Sequence, residues 1–176
     1  MEEKPEVVYA FIDSQNINLG VERDLKDREG KLLYEGWKLD FRKLRLYLKN
    51  KYGVSRAYLF IGNVPGNEKL YSSLQEMGYT VVLKPTMPFR ENGVASQKGN
   101  VDAELVLYSA KLTFDRYDKA IIMSGDGDFL CLVEFLEAED KLLRILPPNF
   151  RYSRLLKKYA PRISIIGDLK DKLEKK

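Results

Sequence analysis

Val7-Val8-Tyr9-Ala10-Phe11-Ile12 form an unbroken apolar segment that ends at Asp13. An apolar segment of this length is typical of a strand that is buried on both faces of a parallel sheet. Comparable segments follow at 57–61, 80–83, 119–123 and 142–146, and segments with helical spacing lie between them. This alternation predicts an α/β fold, a three-layer sandwich around a central, mostly parallel sheet of about five to six strands.

The segments between the strands carry helix and loop signals. Asp40 is typical of a helix N-cap and Gly53 of a helix end. Prolines, a glycine and polar residues predict a loop over 84–98. We expect helices over 100–114 and 152–159 and a last short strand over 162–166. Since no repeat or flexible linker interrupts this order, residues 1–176 are expected to form a single domain with its core at about 7–173.

The composition narrows the possible chemistry. The chain of 176 residues contains no histidine, which excludes a Ser-His-Asp triad, a Cys-His pair and a histidine-ligated zinc site. Its single cysteine, Cys131, cannot form an internal disulfide. The net charge of +4 permits an anionic partner such as RNA. The acidic N-terminus and the lack of a membrane-spanning apolar segment lead us to expect a cytoplasmic protein.

Acidic side chains follow the first and fourth predicted strands. Asp13 ends the first strand, Asp126 and Asp128 follow the fourth, and Asp102 lies near the start of the helix between them. If these strands are neighbours, they end roughly 5 Å apart, so the carboxylates would converge and repel one another. Such oxygen ligands suit Mg²⁺ or Mn²⁺, and Asn16 adds a neutral amide oxygen. The sequence predicts a shared metal site, although Asp128 taken alone also fits a helix N-cap.

Three segments together resemble the NYN domain, the LabA-like branch of the PIN-like nucleases. They are Phe11-Ile12-Asp13-Ser14-Gln15-Asn16, Lys98-Gly99-Asn100-Val101-Asp102 and Ser124-Gly125-Asp126-Gly127-Asp128-Phe129. The resemblance extends from Val7 to about Leu173. It implies a PIN-like fold and a metal-dependent ribonuclease site. It also implies that Asp13, Asp102, Asp126 and Asp128 occupy the acidic positions of the family, and Asn16 its asparagine position.

Tyr108 is a departure from that pattern. Proteins of this group often carry a further aspartate about two helical turns into the helix that follows the Lys-Gly motif, and Tyr108 stands there in this chain. Tyr108 fits an apolar stripe with Val101, Leu105 and Leu112, which predicts a role in the core. Whether a second metal binds, and whether activity is weak, therefore stays open.

The mechanistic hypothesis is hydrolysis of an RNA phosphodiester by metal-activated water. Asp13 and Asp126 would hold Mg²⁺ or Mn²⁺ directly, while Asp102 and Asp128 would complete the shell or hold a second ion. Since paired imidazoles are absent, attack by water would leave a 5′-phosphate, which is also the product that the resemblance implies. Single-stranded RNA is the expected substrate. The expected substrate-binding residues are Lys98, Ser124, Arg90, Arg151, Arg154 and Lys158.

Several alternatives remain open on the sequence. The loop over 84–98 is either a lid or an ordinary surface loop, and the basic stripe of Arg151, Arg154 and Lys158 either binds RNA or is a solvated face. The chain could be a catalytically weak or inactive RNA-binding or interaction module, and a homodimer is compatible with its composition. A haloacid-dehalogenase-like phosphatase fits less well, because Gln15 stands where that family carries its general acid.

Overall fold

The computed structural model describes residues 4–98 and 100–176, with the side chains of 89, 91 and 94–98 left out. In chain order its elements are β1 (Val8–Asp13), α1 (Ser14–Glu22), β2 (Leu25–Lys26), β3 (Leu32–Tyr34), α2 (Phe41–Tyr52), β4 (Val54–Asn63), α3 (Glu68–Glu76), β5 (Tyr79–Pro85), β6 (Met87–Glu91), β7 (Val94–Lys98), α4 (Asp102–Leu107), β8 (Lys119–Met123), α5 (Leu130–Ala138), β9 (Leu142–Ile145) and α6 (Lys170–Leu173). The five-stranded central sheet has the order β5-β4-β1-β8-β9, and all its neighbouring strands are parallel. The predicted α/β fold class is confirmed.

Helices cover both faces of the sheet and bury a separate apolar core on each. Ile17 of α1 and Leu44 of α2 pack with Ala10 and Ile12 of β1 on one face. Phe11 of β1 packs on the other face, in a cluster to which α4 and α5 also contribute. Successive side chains of a strand point to opposite faces, so the central strand β1 contributes to both cores. The molecule therefore has three layers.

The order of the strands reverses at β1. From β1 the chain adds β4 and β5 on one side of the sheet, then crosses over and adds β8 and β9 on the other side. Ile12 pairs with Met123, so β1 and β8 end side by side. Open parallel sheets bind ligands outside the carboxyl ends of their strands at such a reversal. This geometry directs attention to Asp13 and to the residues that follow Met123.

The prediction of a loop over 84–98 is wrong. After β5, the strands β6 and β7 form an antiparallel hairpin in which Met87 pairs with Lys98 and Glu91 with Val94. Asn92 and Gly93 form the turn, with φ angles of 51° and 79°. Asn-Gly favours the left-handed conformations that a two-residue hairpin requires. That dipeptide was the available signal for the hairpin.

The helix predicted over 100–114 divides into two kinds of helix. The α-helix α4 ends at Leu107, and a π-helix follows over Tyr108–Leu112. The backbone N–H of Thr113 donates to the carbonyl of Tyr108 at 2.9 Å, five residues back. Tyr108 packs on Tyr58 and Phe60, with ring centroids 5.7 and 5.4 Å apart, which fits its expected core role. Leu112, in contrast, is 48% exposed, because the wider turn breaks the predicted apolar stripe.

The end of the chain also differs from the prediction. A 3-10 helix spans Arg154–Arg162, so Arg151 lies before it and does not share a helical stripe with Arg154 and Lys158. The strand expected over 162–166 reduces to one bridge between Ile145 and Ile163. Pro161 lies directly before the expected strand and has no backbone N–H to donate, so it disfavours regular structure there. Within the described residues, no helix has the length and apolar character needed to cross a bilayer.

Candidate functional site

Asp13 ends β1 and is the N-cap of α1. One of its carboxylate oxygens, Oδ1, accepts a hydrogen bond from the backbone N–H of Asn16 at 3.1 Å. Only 6% of the residue is exposed. A cap of this kind satisfies a helix N–H that would otherwise lack a partner. The cap therefore holds a nearly buried carboxylate at the end of the central strand.

The loop after β8 is built by side chains that bond to its backbone. The amide oxygen of Asn16 accepts from the N–H of Gly125 at 2.9 Å, which ties α1 to this loop. The buried hydroxyl of Ser124 accepts from the N–H of Asp126 at 3.1 Å. Asp126 in turn accepts from the N–H of Asp128 at 3.0 Å. Asn16 and Ser124 thereby position the two aspartates of the loop.

Asp102, at the start of α4, meets these two aspartates. One carboxylate oxygen from each of Asp102, Asp126 and Asp128 lies within 4.8 Å of the others, a spacing at which one cation can contact all three. The side chain of Asn100 accepts from the N–H of Asp102 at 2.9 Å and fixes the start of the helix. Asp13 lies beside this group, and its cap bond to Asn16 turns one oxygen toward α1. We call Asp13, Asp102, Asp126 and Asp128 the carboxylate cluster.

Burial and mutual repulsion disfavour charge in the carboxylate cluster. Burial raises the pKa of Asp13 from 3.8 to about 6, the bond from Asn16 opposes this rise, and the charges of Asp102 and Asp126 add to it. The pKa of Asp102 is also raised, first by burial and then by Asp126 and Asp128, although Asn100 opposes the shift. A bound cation would relieve both effects. Because every donor is an oxygen, the cluster fits a hard divalent cation such as Mg²⁺ or Mn²⁺.

The carboxylate cluster opens into a cleft of about 690 Å³ that is also lined by α1 and by four residues of the segment 147–153, which we call the wall segment; they are Pro148, Asn149, Arg151 and Tyr152. Asn149 holds the wall segment to α1, because its amide nitrogen donates to the carbonyl of Gly20 at 2.7 Å. The N–H of Ser153 donates to the carbonyl of Gly125 at 2.9 Å. A Cβ at Gly20 would lie 2.3 Å from Cγ of Pro148. The wall segment therefore packs directly on the backbone at Gly20 and at Gly125.

The structure brings together only part of the predicted site. Asp13, Asp102, Asp126, Asp128, Asn16 and Arg151 all line the cleft. Ser124 is 1% exposed, so it positions Asp126 and does not reach a ligand. Lys158 forms an ion pair with Glu134 at 2.5 Å. Arg90 and Arg154 are exposed outside the lining of the cleft, and the side chain of Lys98 lies outside the described residues.

Other cleft residues escaped the sequence-based prediction. They include Leu19, Arg23, Asp24, Pro148 and Asn149. Arg23 follows α1 directly. The spacing of apolar residues identifies the buried face of that helix and gives no information about a charged residue at its end. Pro147-Pro148-Asn149 follows β9 and has turn character, and its position after a parallel strand was the available signal.

Comparison with known proteins agrees with this architecture. A family model of the NYN domain matches residues 8–164. The low amplitude and bright protein LabA of Synechococcus elongatus is 25% identical over 179 residues, covering 98% of this chain and 90% of that protein. A crystal structure of a protein of unknown function from Vibrio parahaemolyticus has the same fold, with a TM-score of 0.72 and 24% identity over 98% of this chain and 99% of the other. With the family match spanning most of its length, the chain belongs to the NYN domain family.

Proposed function

We propose that the chain is a metal-dependent ribonuclease that hydrolyses the phosphodiester bonds of single-stranded RNA. The observation that carries this proposal is the convergence of Asp102, Asp126 and Asp128 within 4.8 Å beside the buried Asp13. Membership of the NYN family supports it. The match over residues 8–164 favours this proposal over a haloacid-dehalogenase-like phosphatase.

Asp102, Asp126 and Asp128 would hold Mg²⁺ or Mn²⁺, with Asp13 beside them. When bound, the ion would lower the pKa of an attacking water and offset negative charge on the phosphate. Burial raises the pKa of Asp13 to about 6, so this carboxylate is suited to accept the proton of the attacking water. Asn16 keeps the Gly125–Asp128 loop in register with α1 and so preserves the geometry of the cluster.

A test uses single-stranded RNA labelled at either end, incubated with Mn²⁺, Mg²⁺ or EDTA. We expect the wild-type protein to cleave the RNA with a divalent ion, leave 5′-phosphate ends and be inactive in EDTA. Asp126→Asn keeps the oxygen that accepts from Asp128 and loses one charge, so cleavage should fall on the order of 100-fold or more. Asp115→Asn is the matched control, because Asp115 is exposed outside the cleft.

Two results would contradict the proposal. Equal cleavage by the wild-type protein and Asp126→Asn would show that the activity does not come from the carboxylate cluster. RNA binding without cleavage under every metal condition would favour the second candidate, a non-catalytic RNA-binding module. Tyr108 favours that candidate, since the position where related proteins often carry an aspartate is filled by a ring packed on Tyr58 and Phe60.

A further inference from the structure

Arginines line the cleft at the end away from the carboxylate cluster. Arg23 and Arg151 both contribute to the lining. Asp13 caps the start of α1 and Arg23 caps its end. Asp13 and Arg23 flank a nine-residue helix, and ten steps of about 1.5 Å rise separate them by about 15 Å. The cleft therefore has the carboxylate cluster at one end and two arginines, with Asp24 beside them, at the other. The distance between the two ends is greater than the size of one phosphate group.

Neither arginine is neutralised by a carboxylate. Across residues 4–98 and 100–176, every ion pair involves other cations, among them Arg162 with Glu137 at 3.1 Å and Lys158 with Glu134. The neighbouring Asp24 accepts from the backbone N–H of Gly36 at 2.8 Å. Two guanidinium groups that form no ion pair outnumber the single carboxylate of Asp24 at this end of the cleft, and the net positive potential attracts an anion.

The wall segment holds Arg151 in place. Its backbone N–H donates to the side chain of Asn149 at 2.8 Å, and its guanidinium donates through Nη2 to the carbonyl of Lys26. This anchoring occupies one of the five guanidinium N–H groups and leaves the others for a ligand. A planar guanidinium that is already oriented binds phosphate with two parallel hydrogen bonds and loses little side-chain freedom.

An apolar surface lies next to the arginines. Leu19 of α1 lines the cleft and is 47% exposed, although it is a large aliphatic residue. Pro148 and Tyr152 line the cleft as well. An apolar surface beside unpaired arginines matches the two parts of a nucleotide, since a base packs on apolar and aromatic groups and its phosphate on guanidinium. The face of a base is accessible in this way only when the strand is unpaired.

We infer that this end of the cleft is a nucleotide-binding subsite. Arg23 and Arg151 bind the phosphate of a nucleotide that neighbours the one held at the carboxylate cluster, and its base packs on Leu19 and on the half-buried ring of Tyr152. The inference rests on the proposed function for the identity of the polymer as RNA. It defines the substrate further, as an unpaired strand that occupies both ends of the cleft at once.

The test measures the anisotropy of a fluorescein-labelled single-stranded oligouridylate in EDTA, where metal-dependent cleavage is absent. Arg23→Ala is the main variant, because Arg23 is exposed and its side chain forms no ion pair among the described residues. We expect the affinity for the oligouridylate to fall at least about tenfold. The slope of log Kd against log salt concentration should decrease by the amount that corresponds to about one phosphate contact. Arg23→Lys should recover part of the loss. Arg116→Ala, at an exposed arginine outside the lining of the cleft, should bind as the wild type does.

Cleavage measurements separate this inference from the proposed function. If the wild-type protein cleaves RNA, Arg23→Ala should raise KM with little change in kcat. If no protein cleaves RNA but Arg23→Ala still weakens binding, the subsite stands and the proposed catalysis fails. Cleavage and binding by Arg23→Ala at wild-type levels would overturn the subsite, and so would equal losses in Arg23→Ala and Arg116→Ala or the absence of RNA binding by the wild type.

Discussion

The carboxylate cluster and the wall segment face the same cleft and differ in what holds them. In the cluster, burial and like charge raise the pKa of Asp13 and Asp102, so the folded state is less stable there than neutral side chains would make it. In the wall segment, buried Asn149 bonds to Gly20 at 2.7 Å and Pro148 packs on the same glycine. The comparison indicates that the carboxylate cluster is electrostatically unfavourable without a bound cation. The wall segment, in contrast, is stabilised by its own contacts and supports the cleft.

The largest expected effect is a gain of stability when the cluster loses a charge. Asp13→Asn keeps an N-cap residue on α1 and removes a nearly buried carboxylate. With the pKa of Asp13 raised from 3.8 to about 6, we expect metal-free Asp13→Asn to be more stable than the wild type at pH 7.5 by up to about 3 kcal/mol. Urea unfolding in EDTA measures this difference, and a loss of stability would contradict the account of the cluster.

The pH dependence of the same variant sharpens that prediction. Between about pH 4 and pH 6 the folded wild type binds the Asp13 proton more tightly than the unfolded chain does. Stability from this group is therefore highest at low pH and falls as the pH rises through that range. The stability difference between Asp13→Asn and the wild type should grow over the same range and stay constant above it. A difference that does not change with pH would exclude Asp13 as its source.

On the wall side, substitution should reduce stability. Gly20→Ala replaces glycine with a better helix former within α1, which by itself would stabilise the protein by about 1 kcal/mol. The new Cβ would lie 2.3 and 2.5 Å from side-chain carbons of Pro148, however, and such overpacking typically costs about 1–3 kcal/mol. We expect a net loss of up to about 2 kcal/mol in urea unfolding. The double variant with Pro148→Ala should recover most of it, and failure to do so would place the strain elsewhere.

Loss of the side-chain bonds of the wall segment should have a somewhat smaller effect. Asn149→Ala removes the bond to Gly20 and the one from the N–H of Arg151. Since these partners are partly buried, we expect a loss of about 1–2 kcal/mol and, through Arg151, weaker RNA binding. Asn67→Ala is the control, because Asn67 is exposed and makes no cap bond from its side chain. Equal effects of the two substitutions would argue against a supporting role for the wall segment.

The smallest expected effect is at Tyr108. Its ring packs on Tyr58 and Phe60, and within the described part of the chain its hydroxyl makes no hydrogen bond. Tyr108→Phe should therefore change the free energy of unfolding by less than about 0.5 kcal/mol and leave RNA cleavage unchanged. Tyr108→Ala should lower stability without abolishing metal binding. A large loss of cleavage in Tyr108→Phe would assign the hydroxyl a role in the site.

Regular features of the sequence predicted the sheet and its acidic end. An unbroken apolar segment followed by Asp13, and another followed by Ser124-Gly125-Asp126, place carboxylates at the ends of buried parallel strands before any coordinates are known. Which oxygens approach most closely was not predictable. The cap bond from Asn16 turns Asp13 toward α1, so the closest group is Asp102, Asp126 and Asp128.

The wall segment and the hairpin of β6 and β7 were missed for different reasons. The position of the wall segment depends on contacts with Gly20 and Gly125, which are distant in sequence and carry no local signal. The hairpin did have a local signal, Asn92-Gly93, although prolines and polar residues around it suggested a loop. The π-helix at Tyr108 has no pattern that distinguishes it from a continued α-helix.

Calorimetric titration of the metal-free protein with Mn²⁺ and Mg²⁺ tests the central claim, that the carboxylate cluster is a divalent-cation site. The account predicts saturable binding by the wild type, a matching rise in thermal stability and strongly weakened binding by Asp126→Asn, while Asp115→Asn binds as the wild type does. No saturable binding by the wild type, or equal binding by Asp126→Asn, would contradict the claim.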